Sequence, residues 1–391
     1  MKRWCARYFA MIAAVYALAG CGGSVAPSPK PVSASPGTST SAATSSSVSP
    51  RADWQAEWDR LLASAKQEGQ VNVATTAGSG PPAIFEPFKA KYGITINVTG
   101  QSASALLPKI QTERAAGQYL QDVSLNATNT TIVGYKPSGA LDPLPAVLIL
   151  PEVMDDKNWI GGFADGWADV GKNLDYSTGR LAEPIVHVNR RLVPESQLSH
   201  VEQLWDPAWK GKIVMGDTRV PSTATPMLAA WLLTFGEDKV RGFLQSQQPV
   251  ISNQPRQMAE WVVRGQYGVG FGVGVPDMTY LSGQGVDLTH VKPLAPDEPG
   301  GVVADDGTGS VALFNRAPHP NAAKVLINWL LSQEGQVAVS KQTGYNSRRT
   351  DVPPVSPSTV IDPNKKYPRV QTEESYPIFL KAMEISKELL K

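Results

Sequence analysis

Gln70-Val71-Asn72-Val73-Ala74, followed by Thr75-Thr76-Ala77-Gly78-Ser79-Gly80-Pro81-Pro82, decides the fold. The first five residues are rich in β-branched and small side chains at strand period, and the Gly/Ser/Pro run behind them is a turn. That turn opens a helix with Ile84, Phe85 and Phe88 on its apolar face. Upstream, residues 54–67 place apolar side chains at helical spacing and stop near Gly69. Downstream, residues 93–98 (GITINV) form a second strand, and Ser102-Ala103-Ser104 stands as a helix start before Leu106, Leu107 and Ile110. Residues 122–125 are a third strand. The order β-α-β-α-β predicts a parallel sheet with helices on its faces, an α/β fold.

The same alternation returns at residues 185–188, 212–215, 226–235 (a helix) and 268–275. In the last of these, Gly268-Val269-Gly270-Phe271-Gly272-Val273-Gly274 misses the dinucleotide fingerprint at its final glycine, and its strict alternation predicts a close-packed strand. The globular part, about 340 residues from residue 52 onward, exceeds what one core usually serves, so two domains are expected. A net charge of +1 in 391 residues argues against a nucleic-acid or acidic-lipid surface. Apolar stretches such as residues 322–331 read as buried helix, not as a membrane span.

The amino terminus sets the compartment. Lys2, Arg3 and Arg7 precede an apolar run over about residues 8–17, which is too short to span a bilayer, and small residues follow. This is an export signal, expected to occupy residues 1–20. Leu18-Ala19-Gly20-Cys21 resembles the bacterial lipobox, in which the cysteine is lipidated and becomes the first mature residue; a plain signal peptide with Cys21 there by chance is the alternative. Cys5 leaves with the signal, so Cys21 has no intrachain disulfide partner. Residues 21–52, rich in Ser, Thr, Pro, Ala and Gly, cannot bury enough surface to offset their ordering entropy and read as a flexible tether.

In open α/β sheets, ligands bind beyond the carboxyl ends of strands. Small polar residues stand there: Thr75, Thr76 and Ser79 after the first strand, Ser102 and Ser104 after the second, Asn126, Thr128 and Asn129 after the third. Ser222, Thr223 and Thr225 precede a helix of the second region. Hydroxyls and free amides at helix starts suit an anion. Taken singly each is more readily a cap or turn former than a ligand group; as four clusters they predict a ligand site.

Several segments resemble bacterial extracellular solute-binding proteins of ABC importers, in the branch of the periplasmic ferric-ion-binding proteins. They are residues 58–73 (WDRLLASAKQEGQVNV), Glu113-Arg114-Ala115-Ala116-Gly117, Lys136-Pro137-Ser138-Gly139-Ala140-Leu141, Trp205-Asp206-Pro207-Ala208-Trp209-Lys210-Gly211, Ala317-Pro318-His319-Pro320-Asn321 and Leu331-Ser332-Gln333-Glu334-Gly335. The resemblance implies two Rossmann-like lobes joined by a two-stranded hinge, the type II periplasmic-binding-protein fold, which capture a small solute for an ABC permease. Lobe I is expected over 53–175 plus about 302–346, and lobe II over about 176–301 plus 347–391. A monomer is expected, lipid-anchored at Cys21 and facing the periplasm or cell exterior.

The ferric ligand set is not carried over. Where the relatives use histidine, glutamate and paired tyrosines, this chain has Gly78 or Ser79, Ala127 and Gly272-Val273-Gly274-Val275-Pro276-Asp277. The anion end persists: Val220-Pro221-Ser222-Thr223-Ala224-Thr225 resembles the segment that holds a synergistic phosphate or carbonate in ferric binders. Pro226 suits the first turn of a helix, lacking an N–H that would go unbonded there. Arg180 resembles a hinge-side arginine, with an inter-lobe ion pair as the alternative. The expected ligand is an organic solute with a phosphate, phosphonate or carboxylate group, and Asp277 completes the candidate set. Ferric binding through other ligands or a bound chelator is one alternative; a membrane-tethered sensor or hydrolase on the same frame is another. His187, His200, His290 and His319 are scattered, with no zinc motif and no nucleophile elbow, so neither catalytic residues, metal nor cofactor is expected. Asp305-Asp306 reads as a solvated loop, and Trp159 and Trp167 as candidates to stack on a ligand ring or to pack between lobes.

Overall fold

The computed structural model of the chain describes residues 50–76, 81–305 and 309–390. The export signal, Cys21, the tether up to residue 49, Gly78, Ser79 and Asp306 lie outside the described residues, as do the side chains of Thr76 and Ser104; residues 50–52, expected to belong to the tether, are instead the first turn of a helix. All described residues belong to one unit, Val48–Lys391.

The chain enters through helix α1 (Pro50–Glu68) and strand β1 (Gln70–Thr76), with Gly69 between them at φ 69°, a left-handed position that favours glycine. A 3-10 turn and α2 (Glu86–Tyr92) lead to β2 (Thr95–Gln101); α3 (Ala103–Ala115) leads to β3 (Val123–Asn126). β1 lies between β2 and β3, parallel to both, as the alternation predicted. After β3 comes a π-helical turn, Thr130–Tyr135, then β4 (Leu141–Asp142), the single-turn α4 (Pro151–Met154) and β5 (Tyr176–Ser177).

Strand β6 (Leu181–Pro184) leads to a second sheet of β7 (Val186–Asn189), β8 (Ile213–Gly216), β9 (Val250–Ser252), β10 (Val269–Phe271) and β11 (Val291–Pro293), ordered β11-β7-β10-β8-β9. Its connections contain α5 (Ala224–Phe235), α6 (Glu237–Gln247), α7 (Pro255–Val263) and α8 (Val275–Gly283). Then β12 (Val302–Asp305) runs back antiparallel to β6, and β13 (Ser310–Phe314) completes the first sheet as β2-β1-β3-β13-β4, with β5 also on β13. Helix α9 (Pro320–Leu331) packs on α1, and α10 (Gln333–Thr343) on α9; α11 (Tyr376–Leu389) returns to α5 and α6.

This is an α/β fold of two lobes on a two-stranded hinge. Each lobe has its own core. In lobe I, Val71, Val73, Val123 and Leu125 pack with Phe88 and Trp329, whose rings meet edge to face at 5.4 Å. In lobe II, Trp231 meets Phe271 at 4.7 Å among Val186, Ile213 and Met215, and its indole N–H donates to Gly300 O at 2.8 Å. Burying side chains of this kind stabilises each lobe by about 1.5–3 kcal/mol apiece.

One strand is shorter than its pattern. The alternation from Gly268 to Val275 yields only β10, because Gly272 turns to φ 78° and ends it. The close packing is there: a Cβ on Gly270 would stand 2.6 Å from a Val262 methyl.

Candidate ligand-binding site

The hinge joins the carboxyl edges of both sheets. On lobe I, Thr75 pairs with Gly100 and Leu125, and Ser310 pairs with Asn126 and Ser177. The chain leaves that edge from Ser177 toward β6 and regains it from β12 at Ser310. On lobe II, Phe271 pairs with both Val186 and Met215, and Gly272 N–H donates to Ile185 O at 2.9 Å. Ile185 N–H in turn donates to Gly301 O, one residue before β12. Loops that follow strands in either lobe therefore gather next to one hinge.

On the lobe I edge stand Thr75 and Asn126, both buried, with Thr128 just beyond. Asn126 Nδ2 donates to Ala74 O at 3.1 Å and Ser124 Oγ at 2.7 Å, which fixes the amide across the strand ends. Asn126 Oδ1, Thr128 Oγ1 and Thr131 Oγ1 are buried and have no hydrogen-bond partner among the described residues. Three such oxygens beside a π-helical turn, a feature that recurs at functional sites, mark a place where a ligand can hydrogen-bond, the amide oxygen accepting and the hydroxyls donating or accepting. Ser102 lies at the start of α3, exposed, and its side chain caps nothing. Thr76 and Ser104 follow the same edge by backbone position.

On the lobe II edge, α5 begins between two strand ends. A Cβ on Gly216, which ends β8, would stand 2.7 Å from Ala224 Cβ; one on Gly272, after β10, would stand 2.4 Å away. Glycine at both positions lets the helix start approach the sheet backbone. Thr223 Oγ1 donates to Gly272 O at 3.2 Å and ties the helix to β10. Thr225 Oγ1 donates to Val220 O and accepts from Ser222 N–H at 3.2 Å, and Ser222 Oγ lies 3.0 Å from it. The hydroxyls are thus committed to shaping the loop. The backbone N–H groups of Thr223 and Ala224 have no acceptor among the described residues, at the positive end of a 12-residue helix dipole.

Asp277 lies half-buried in the first turn of α8, and burial pushes its carboxyl above the usual range. Sequence reasoning missed two neighbours. Arg256, in the first turn of α7 after β9, stacks at 3.6 Å over Tyr280 and reaches to 3.9 Å from Asp277. Pro255 at that helix start was the available signal. Glu183, buried in hinge strand β6, accepts from Val275 N–H at 2.8 Å and so occupies the start of α8; nothing local marks it.

Arg180 lies buried just before hinge strand β6. Its guanidinium pairs with Asp165, which also faces Arg348 at 3.5 Å and Arg369 at 3.6 Å. Trp159 is buried in the lobe I core against Tyr176 and donates to Val153 O, and Trp167 packs edge to face on Tyr176. Among the described residues no three His, Cys, Asp or Glu side chains converge as metal ligands.

Two α/β lobes with polar strand-end loops converging on a paired hinge make the type II periplasmic-binding-protein fold. The chain belongs to the bacterial extracellular solute-binding protein family, whose sequence model matches residues 83–368. This is a family of binding proteins rather than enzymes, and membership makes the chain an exported one. Iron-bound HitA from Pseudomonas aeruginosa superposes with a TM-score of 0.63 at 17% identity, over 82% of this chain and 99% of that one. The periplasmic binding protein AfuA from Actinobacillus pleuropneumoniae, with exogenous fructose-6-phosphate bound, gives 0.57 at 19% identity over 81% and 99%. An uncharacterized protein of Haemophilus influenzae is 26% identical over 189 residues, 46% of this chain and 51% of that protein. The chain thus spans about half the length of that relative. Among the described residues no helix is long and apolar enough to cross a membrane.

Proposed function

We propose that this protein captures a small anionic organic solute, carrying a phosphate, phosphonate or carboxylate group, and delivers it to an ABC importer while anchored to the membrane by lipid on Cys21. The observation that carries the reading is the start of α5. Its Thr223 and Ala224 N–H groups are unbonded, the strand ends around it are glycine, and Arg256 adds a cation on the same lobe edge. Thr75, Thr76, Ser79, Ser102, Ser104, Asn126 and Thr128 would supply the lobe I contacts, with Ser222, Thr223, Ala224 and Asp277 on lobe II.

Asp277, with its raised affinity for a proton, suits a ligand hydroxyl. Glu183 at the start of α8 makes that helix a poor anion site, so the acid group belongs at α5. Arg180 acts through Asp165 to hold the hinge base. The lobes close about β6 and β12.

The structural relatives were solved with iron or with a sugar phosphate, and the donor set favours the second chemistry. Ferric ion prefers hard anionic oxygen donors; Ala127 and Gly272 supply none. Native mass spectrometry of protein purified from its host, followed by titration with fructose-6-phosphate, succinate and ferric citrate, tests the reading. Retention of an acidic organic molecule supports it; saturable uptake of ferric ion with no organic anion overturns it.

A further inference from the structure

The opposite edge of lobe I holds a second group of cations. Arg114 in the last turn of α3 and Arg316 just after β13 flank the ring of Tyr119, their guanidinium carbons 5.0 and 4.8 Å from its centroid. Arg114 reaches Asn315 through its side-chain oxygen and its carbonyl, and Arg316 reaches the Tyr119 hydroxyl. With Gln111 and Ser138 they line a cleft of about 480 Å³. β13 runs from Ser310 at the hinge-side edge to Phe314, four steps of roughly 3.4 Å, so this cleft is remote from the hinge.

Three features of the cluster need a cause. Neither guanidinium forms an ion pair with any carboxylate among the described residues, although surface arginines in this chain commonly do. The two like charges oppose each other, and partial burial and Arg316 both hold Arg114 below the usual arginine range. Arg316 also adopts φ 55°, a left-handed backbone that costs a non-glycine residue about 1–2 kcal/mol. Glycine or asparagine would serve the turn better. A guanidinium kept there at that cost, beside a second one that feels the Asp142 charge but makes no ion pair with it, is what an oxyanion site requires.

We propose that the Arg114–Tyr119–Arg316 cleft is a second anion site, which binds a phosphate or carboxylate group independently of the solute site at the hinge. An oxyanion between the guanidiniums relieves their repulsion and accepts N–H donors from both, while the tyrosine ring holds the forks apart. Gln111 and Ser138 can hydrogen-bond the remainder of the ligand.

The test titrates the full chain with inorganic phosphate, and separately with succinate, at constant ionic strength set by chloride, following the arginine Nε–H resonances by NMR. Saturable shifts of Arg114 and Arg316 are expected with at least one of the two anions, and which one responds distinguishes a phosphate from a carboxylate ligand. Arg316→Gly relieves the backbone strain, so it should melt no lower than wild type yet bind about tenfold or more weakly. Arg316→Lys should fall between. Ser222→Val/Thr223→Leu, which alters the hinge site, should leave this binding unchanged. Absence of saturation with both anions, or equal affinity in Arg316→Gly, overturns the proposal.

Discussion

Glu183 of hinge strand β6 accepts a hydrogen bond from the backbone N–H of Val275, the first residue of α8, at 2.8 Å. The contact pins a lobe II helix to a hinge strand. A buried carboxylate at a helix start satisfies a backbone donor and interacts favourably with the positive end of the dipole, and losing such a charged hydrogen bond costs about 1.5–3 kcal/mol. Glu183→Ala should lower unfolding stability by that amount in urea titrations, whereas Glu183→Gln, which keeps an acceptor, should lose less. Equal losses would show that the hydrogen bond itself contributes nothing.

Gly272 has a different role. An alanine there would have to hold φ near 78° and bring its Cβ within 2.8 Å of Ala224 Cα. Gly272→Ala should therefore cost about 2 kcal/mol or more and displace the start of α5. Thermal melts and solute titration report the two effects separately, and unchanged affinity would detach α5 from binding.

His187 makes stability depend on pH. Burial in β7 with its Nδ1 unpartnered holds its pKa down to about 4, against about 6.5 when unfolded. The unfolded chain then binds the extra proton between those values, so stability is full above about pH 6.5 and falls as pH drops toward 4, by about 3 kcal/mol for the complete shift. Urea midpoints at pH 7 and 4.5 should differ by less in His187→Gln than in wild type. An identical pH response in the variant would assign the loss to other groups.

The proposed lipid anchor rests on one thiol. Cys21→Ser should release the protein from the membrane fraction or leave it unprocessed. A variant that stays membrane-bound with unchanged mobility contradicts lipidation at that residue.

Much of the frame was legible in the sequence because its signals are local. Gly69 ends a helix, Ser102 opens one, and the strand pattern at residues 70–74 needs no distant partner to be read, whereas Gly93, read as the start of a strand, instead caps α2. The resemblance segment around His319 is structural: its backbone N–H and Nδ1 both meet the Asp122 carboxylate, joining α9 to the start of β3. What could not be read was non-local. β6 and β12 pair across more than a hundred residues, Asp165 gathers Arg180, Arg348 and Arg369 from three segments, and Arg256 meets Asp277 from another helix. The truncation of β10 at Gly272 was hidden because an alternating glycine run looks the same whether it continues or turns.

The central claim is that the ligand's acid group sits on the amides at the start of α5. Calorimetry of the Ser222→Val/Thr223→Leu variant, using whichever anionic solute the native protein retains, tests it most directly. Bulky side chains there crowd the Thr223 and Ala224 N–H groups and remove the loop's hydroxyl bonds. Affinity should fall about tenfold or more, with the fold intact by circular dichroism. Equal affinity in variant and wild type would place the acid group elsewhere.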